Sequence, residues 1–172
     1  MVLVLMGVSG SGKSTIGKVL ADQLDWTFIE GDDFHPAANV EKMRAGVPLN
    51  DADRKPWLAA LRERIDAACA DGEDVVVACS ALKHAYQDYL ERNEPECVRY
   101  VYLHGSEDLI RQRLAERKGH FMPPGLLHSQ FEALEPPGDA LRVDVTPAPD
   151  VIATEVRNKL GLRRMGSRPS LA

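Results

Sequence analysis

Gly7-Val8-Ser9-Gly10-Ser11-Gly12-Lys13-Ser14 is the stretch that decides the fold, because it stands between an apolar run at 2–6 and a helical pattern at 14–24. It matches G-x-x-x-x-G-K-[ST] with no departure. Glycines at these positions let consecutive backbone N–H groups converge on phosphate oxygens where a Cβ would clash. The following helix offers its first N–H groups and the positive end of its dipole to the same anion. Lys13 brings a positive charge to the β- and γ-phosphates, and the Ser14 hydroxyl is placed to ligate Mg²⁺. The expected nucleotide cradle is therefore Gly7, Val8, Ser9, Gly10, Ser11, Gly12, Lys13, Ser14 and Thr15.

Outward from the cradle, short apolar runs alternate with longer helical patterns. Residues 2–6 suit a strand buried on both faces, and Ile16, Val19, Leu20 and Leu24 mark the inner side of the first helix. Residues 26–29 read as a second strand, closed by Gly31. A helix capped near Asp51 or Asp53 should turn Trp57, Leu58, Leu61, Ile65 and Ala68 inward and end at Asp71-Gly72. Further strands are expected at 75–79, 98–103 and 141–145. Helices are expected at 82–92, from a Ser106 cap to about 118, and at 151–160.

Strands alternating with helices imply right-handed crossovers, hence an α/β fold with a five-stranded parallel sheet covered on both faces. In such a sheet the strands all end along one edge, where ligands bind. Residues 7–13, 31–35 and 80–83, with His104 and Thr146, should therefore be neighbours in space. One domain, 1–160, is expected, with a lid at about 118–127. The tail 161–172 has no periodicity and is expected to be mobile.

Composition narrows the classes. The chain has 172 residues and a formal net charge of −5, with 44% hydrophobic and 27% charged residues, which excludes wholesale disorder. The acidic balance argues against nucleic acid as a partner. The opening apolar run is far short of the roughly 20 residues that span a membrane, and it lacks the basic region of a secretory leader. Three cysteines, Cys69, Cys79 and Cys97, with no C-x-x-C spacing, suggest a reduced cytoplasmic protein without a metal or redox signature.

Among proteins with this cradle, a GTPase would need N-K-x-D and D-x-x-G elements. Asn158-Lys159-Leu160-Gly161 lacks the Asp, and no D-x-x-G occurs. A motor or transporter ATPase would end the third strand on an acid, whereas here it ends Ala78-Cys79-Ser80. Small-molecule kinases remain. Two segments suit their insertions: the polar stretch 31–57 after the second strand, and 113–131, whose Gly119, Pro123, Pro124 and Gly125 suggest a mobile loop. Arg113 and Arg117, four apart on one helical face, could swing onto the transferred phosphoryl group.

The stretches GVSGSGKS, GDDFHP, NVEKMRAGVPLNDADRKPWL, CSALK followed by YQDYL, and RKGHFMPPGLLHSQFEALEPP resemble the gluconate kinase family of small P-loop kinases. The resemblance runs from residue 1 to about 160. It implies a nucleoside-monophosphate-kinase-like fold and transfer of the ATP γ-phosphoryl group to the 6-hydroxyl of D-gluconate, with Mg²⁺ required. It also implies a cytoplasmic enzyme, and dimers are frequent in the family. Asp33 and Phe34 stand where the family often has bulkier apolar residues.

Asp32 follows the second strand and should face Lys13 across the cleft. It could accept the proton of the sugar hydroxyl or hold Mg²⁺ through water, and the resemblance favours it over Asp33. His35 is a donor to a substrate hydroxyl. Arg54 resembles a substrate-binding arginine able to grip a carboxylate with two prongs, and Lys83 is a second candidate for that carboxylate. His120, in the expected lid, could contact phosphate or substrate. Trp57 and Lys55 are read as structural, and His84, His104 and His128 carry no assigned role.

Overall fold

The structure, a computed structural model, describes residues 1–91, 95–116 and 124–164. Strands β1 (Val2–Met6), β2 (Thr27–Glu30), β3 (Val75–Ala78), β4 (Val98–His104) and β5 (Leu141–Asp144) form one sheet. Its order is β2-β3-β1-β4-β5, and every pairing is parallel. Val4 of the central strand lies between Val77 and Tyr100. The helices are α1 (Lys13–Leu24), α2 (Ala37–Arg44), α3 (Asp51–Asp71), α4 (His84–Glu91), α5 (Glu107–Glu116), α6 (Pro124–Glu132) and α7 (Pro149–Lys159). A 3₁₀ turn, Gly31–Phe34, follows β2 directly.

All five residues of β1 are buried, and successive side chains serve opposite faces. Leu3 and Leu5 join a core with Ile16, Leu20, Ile110 and Val156. Val2, Val4 and Met6 join another with Trp57, Leu61, Ile65 and Leu90. The sheet thus separates two apolar layers, and the strand ends at its C-terminal edge carry the loops that form the site.

Several local expectations change. The cap of α3 is Asn50, whose side chain accepts the Asp53 N–H at 2.8 Å while Asp53 accepts the Asn50 N–H at 3.0 Å. Helix α2 gave no periodic signal because Asn39 is its one buried residue. Pro124 and Gly125, expected in a loop, form the start of α6, where a proline fits because a first-turn N–H needs no helical partner. Leu126 and Leu127 of the expected lid also fall in α6, whereas residues 117–123, with Arg117 and His120, lie outside the described residues, as do residues 165–172 of the tail.

The expectation of reduced cysteines is corrected for two of the three. Cys69, near the end of α3, and Cys97, just before β4, form a disulfide with Cα atoms 6.0 Å apart. Their 28-residue separation hides a proximity that only the packing of α3 on the sheet creates. Cys79 is free and fully buried, and loss of solvation pushes its thiol up to about 12.

Candidate active site

Between β1 and α1 the chain turns through Gly10 and Gly12, at φ 81° and 94°, a left-handed region that favours glycine. Gly12 caps α1 with no side-chain acceptor, and the first turn holds no acid. The Ile16 N–H reaches the Gly12 carbonyl at 2.8 Å, so the N–H groups before it fall outside the helical ladder. That geometry fits a phosphate. Lys13 Nζ folds back to donate to the carbonyls of Gly7 and Val8 at 3.1 and 3.0 Å. The Ser9 N–H donates to Gln130 Oε1 at 2.7 Å, which ties the cradle to α6.

The cradle opens into a cleft of about 600 Å³. Ser9, Gly10, Gly12, Lys13, Ser14 and Thr15 form its floor, Glu30 and Asp32 line it from the end of β2, and Arg113 with Leu114 lines it from α5. Lys13 and Asp32 therefore share one cavity, as the strand-end argument requires. Arg113 lines the cleft but donates to the Val145 carbonyl at 2.6 Å, which fixes its guanidinium against the end of β5. Pro147, Pro149 and Ile152 give the cleft an apolar end.

Beyond Asp32 lies a second cluster. Asp32 and His35 Nε2 are 4.0 Å apart, and the His35 ring, 5% exposed, stacks on Trp57 with centroids 4.4 Å apart. Asn39 Nδ2 lies 3.3 Å from His35 Nδ1 and donates to the Asp53 carbonyl at 2.8 Å. This arrangement makes Nδ1 the acceptor and leaves the proton on Nε2, facing Asp32. Burial lowers the His35 pKa below its ordinary value of 6.5, with Asp32 opposing and Arg54 reinforcing the shift.

Arg54 donates to the Leu49 carbonyl at 2.5 Å and lies 3.9 Å from Asp51. Lys83 Nζ meets both Asp51 oxygens, at 2.8 and 3.1 Å, and the Tyr86 hydroxyl donates to the same carboxylate. The bonds from Lys83 and Tyr86 hold the Asp51 carboxyl below its usual range, and Asp51 in turn raises Lys83. Both cations expected to meet a substrate carboxylate thus converge on one internal carboxylate.

Sequence reasoning missed Asp51 in this role, because its place near a helix start suggested a cap. It also missed Glu30, Pro147, Pro149, Ile152 and Gln130. The strand-end rule reached Thr146 and, carried three residues further, would have found the two prolines. Nothing in the local pattern pointed to Gln130, which is 121 residues from Ser9.

A parallel α/β sheet with this cradle and cleft defines a P-loop phosphotransferase that uses ATP. A family model described as an AAA domain matches residues 2–137. The chain is 45% identical to the thermoresistant gluconokinase of Escherichia coli (strain K12), over 90% of this chain and 91% of that protein. It is 44% identical to a probable gluconokinase of Xenopus tropicalis, with 96% of each chain covered. A crystal structure of a gluconokinase from Sinorhizobium meliloti 1021 superposes with a TM-score of 0.84 at 46% identity, covering 92% of this chain and 90% of that one. The chain belongs to the gluconokinase family.

Proposed function

We propose that the chain transfers the γ-phosphoryl group of ATP to the 6-hydroxyl of D-gluconate, giving 6-phosphogluconate and ADP. One adjacency carries this reading. Asp32 shares the cleft with Lys13 and lies 4.0 Å from His35 Nε2, and Arg54, close enough to His35 to help lower its pKa, meets Asp51 together with Lys83, so the cation pair is read as the acceptor's carboxylate site beside the phosphate site.

The cradle N–H groups and Lys13 hold the β- and γ-phosphates. Asp32 orients the 6-hydroxyl and takes its proton as that oxygen bonds to phosphorus and the bond from phosphorus to the departing ADP oxygen breaks. His35 presents its Nε2–H beside Asp32, within the same acceptor pocket. Arg54 and Lys83 grip the acceptor's carboxylate at its far end. Arg113 holds charge on the transferred group, a role the resemblance extends to Arg117, while His120 contacts phosphate or substrate.

Ser14, with Glu30 and Asp32 in the same cleft, supplies the oxygen donors that suit Mg²⁺, which when bound would screen the phosphate charge. Among the described residues no helix is long and apolar enough to cross a membrane. We place the enzyme in the cytoplasm as a homodimer, in keeping with the family; sedimentation velocity tests the second point. The Pro147–Pro149 end of the cleft suits the flat face of a nucleobase.

ADP release from ATP and Mg²⁺, measured with gluconate, its epimers, glucose, shikimate or AMP, tests the reaction. A large gluconate-dependent rate is expected. A larger response to another acceptor would replace gluconate.

A further inference from the structure

Lys83 and Tyr86 donate to the Asp51 carboxylate, and the Arg54 guanidinium, which donates to the Leu49 carbonyl, lies 3.9 Å from it: two cations and a hydroxyl gather around one pair of oxygens, the surroundings a carboxylate ligand needs. In this structure Asp51 occupies that set. We infer that Asp51 is an internal stand-in for the acceptor's carboxylate, holding the cation pair until the sugar acid exchanges with it, and thereby favours acids over neutral sugars. The inference rests on the reading of Arg54 and Lys83 as the acceptor's cation pair.

Three observations support exchange rather than a fixed structural role. The cap of α3 is built by Asn50 and Asp53, so the helix start does not depend on where Asp51 points. Asp51 lies in the first turn of α3, where the helix N-terminus favours its charge in either orientation. Its side chain is 63% exposed, so a swing into water trades a screened surface pair for hydration.

The exchange is like for like. One carboxylate leaves the donor set and another enters, so the cluster keeps the same net charge before and after. A neutral sugar has nothing to exchange and must bind with Asp51 still in place. Burial and the Asp51 bond raise the Tyr86 pKa, so the phenol keeps its proton to offer to either carboxylate.

Isothermal titration of D-gluconate and of glucose into the whole protein tests the idea, using wild type, Asp51→Asn, Asp51→Ser, Lys83→Ala and Arg54→Ala. Removing an exposed competitor should tighten gluconate binding by about two- to fivefold in both Asp51 variants, with glucose unchanged. Lys83→Ala and Arg54→Ala should weaken gluconate binding. Two Asp51 variants guard against a misfolded one, and a circular dichroism melt identifies it. Gluconate binding that is unchanged or weaker in both folded Asp51 variants, with the cation variants also weakened, would overturn the stand-in while leaving the cation pair intact. Unaltered gluconate binding in both cation variants would remove the carboxylate site and the inference with it.

Discussion

The indole N–H of Trp57 donates to the Gly31 carbonyl at 2.7 Å inside the protein, binding α3 to the turn that presents Asp32. Gly31 itself has no room for a side chain, since a Cβ there would lie 2.5 Å from the Ala78 carbonyl. The turn is thus held by the sheet on one side and by a tryptophan on the other. Trp57→Phe keeps most of the apolar volume but leaves that buried carbonyl without its donor. The expected loss is about 1–3 kcal/mol, read from the urea midpoint. Turnover should fall as well, because Asp32 rides on the loosened turn. A variant with wild-type stability and turnover would show that the bond positions nothing.

Lys13→Ala and Asp32→Ala should each lower gluconate-dependent ADP release by roughly 10²- to 10⁴-fold. Their circular dichroism spectra should match wild type, because both side chains line the open cleft rather than the core. Near-normal turnover in either variant would remove that residue from the mechanism.

Acid should destabilise the fold through His35. Its pKa is lowered in the folded protein, chiefly by burial, so the unfolded chain takes up the proton more readily. Its contribution is therefore complete well above pH 6.5 and is lost progressively as the pH falls below that value. Urea midpoints at pH 7.5 and 5.5 should separate more in wild type than in His35→Gln. Equal separations would place the acid sensitivity elsewhere.

Reduction of Cys69–Cys97 opens a loop of 28 residues. The chain-entropy account gives a loss of about 3.5 kcal/mol. Dithiothreitol should lower the melting temperature of wild type and leave that of Cys69→Ser, already lowered, where it is. A melting temperature indifferent to reductant would mean that the crosslink contributes little to stability.

The sheet was legible because its signals are local: an apolar run, a glycine and a helical period repeat along the chain. The cradle was legible because phosphate binding demands consecutive residues, Gly7 to Ser14. The opposite holds for contacts made by packing. Cys69 meets Cys97, Gln130 meets Ser9, and Asp51 meets Lys83 across 32 residues, and none of these pairs leaves a mark in spacing. Asp32 and Arg113 fell between the two cases. The topology brought both to the cleft, but Arg113 gains its Val145 partner only through packing.

Helix α3 resembles a beam resting on two supports, Trp57 near its front and Cys69 near its back. Its 21 residues extend over about 31 Å at ~1.5 Å per residue. Arg54 sits three residues from the front support, only ~4.5 Å along the axis, while Cys69 is twelve residues behind it. Cutting the rear support frees only that end of the helix, because Leu58, Leu61 and Ile65 stay bedded in the core between it and Arg54. Mechanical slack introduced at the crosslink is therefore spent away from the acceptor pocket, and a reduced enzyme should melt earlier while its KM for gluconate stays the same.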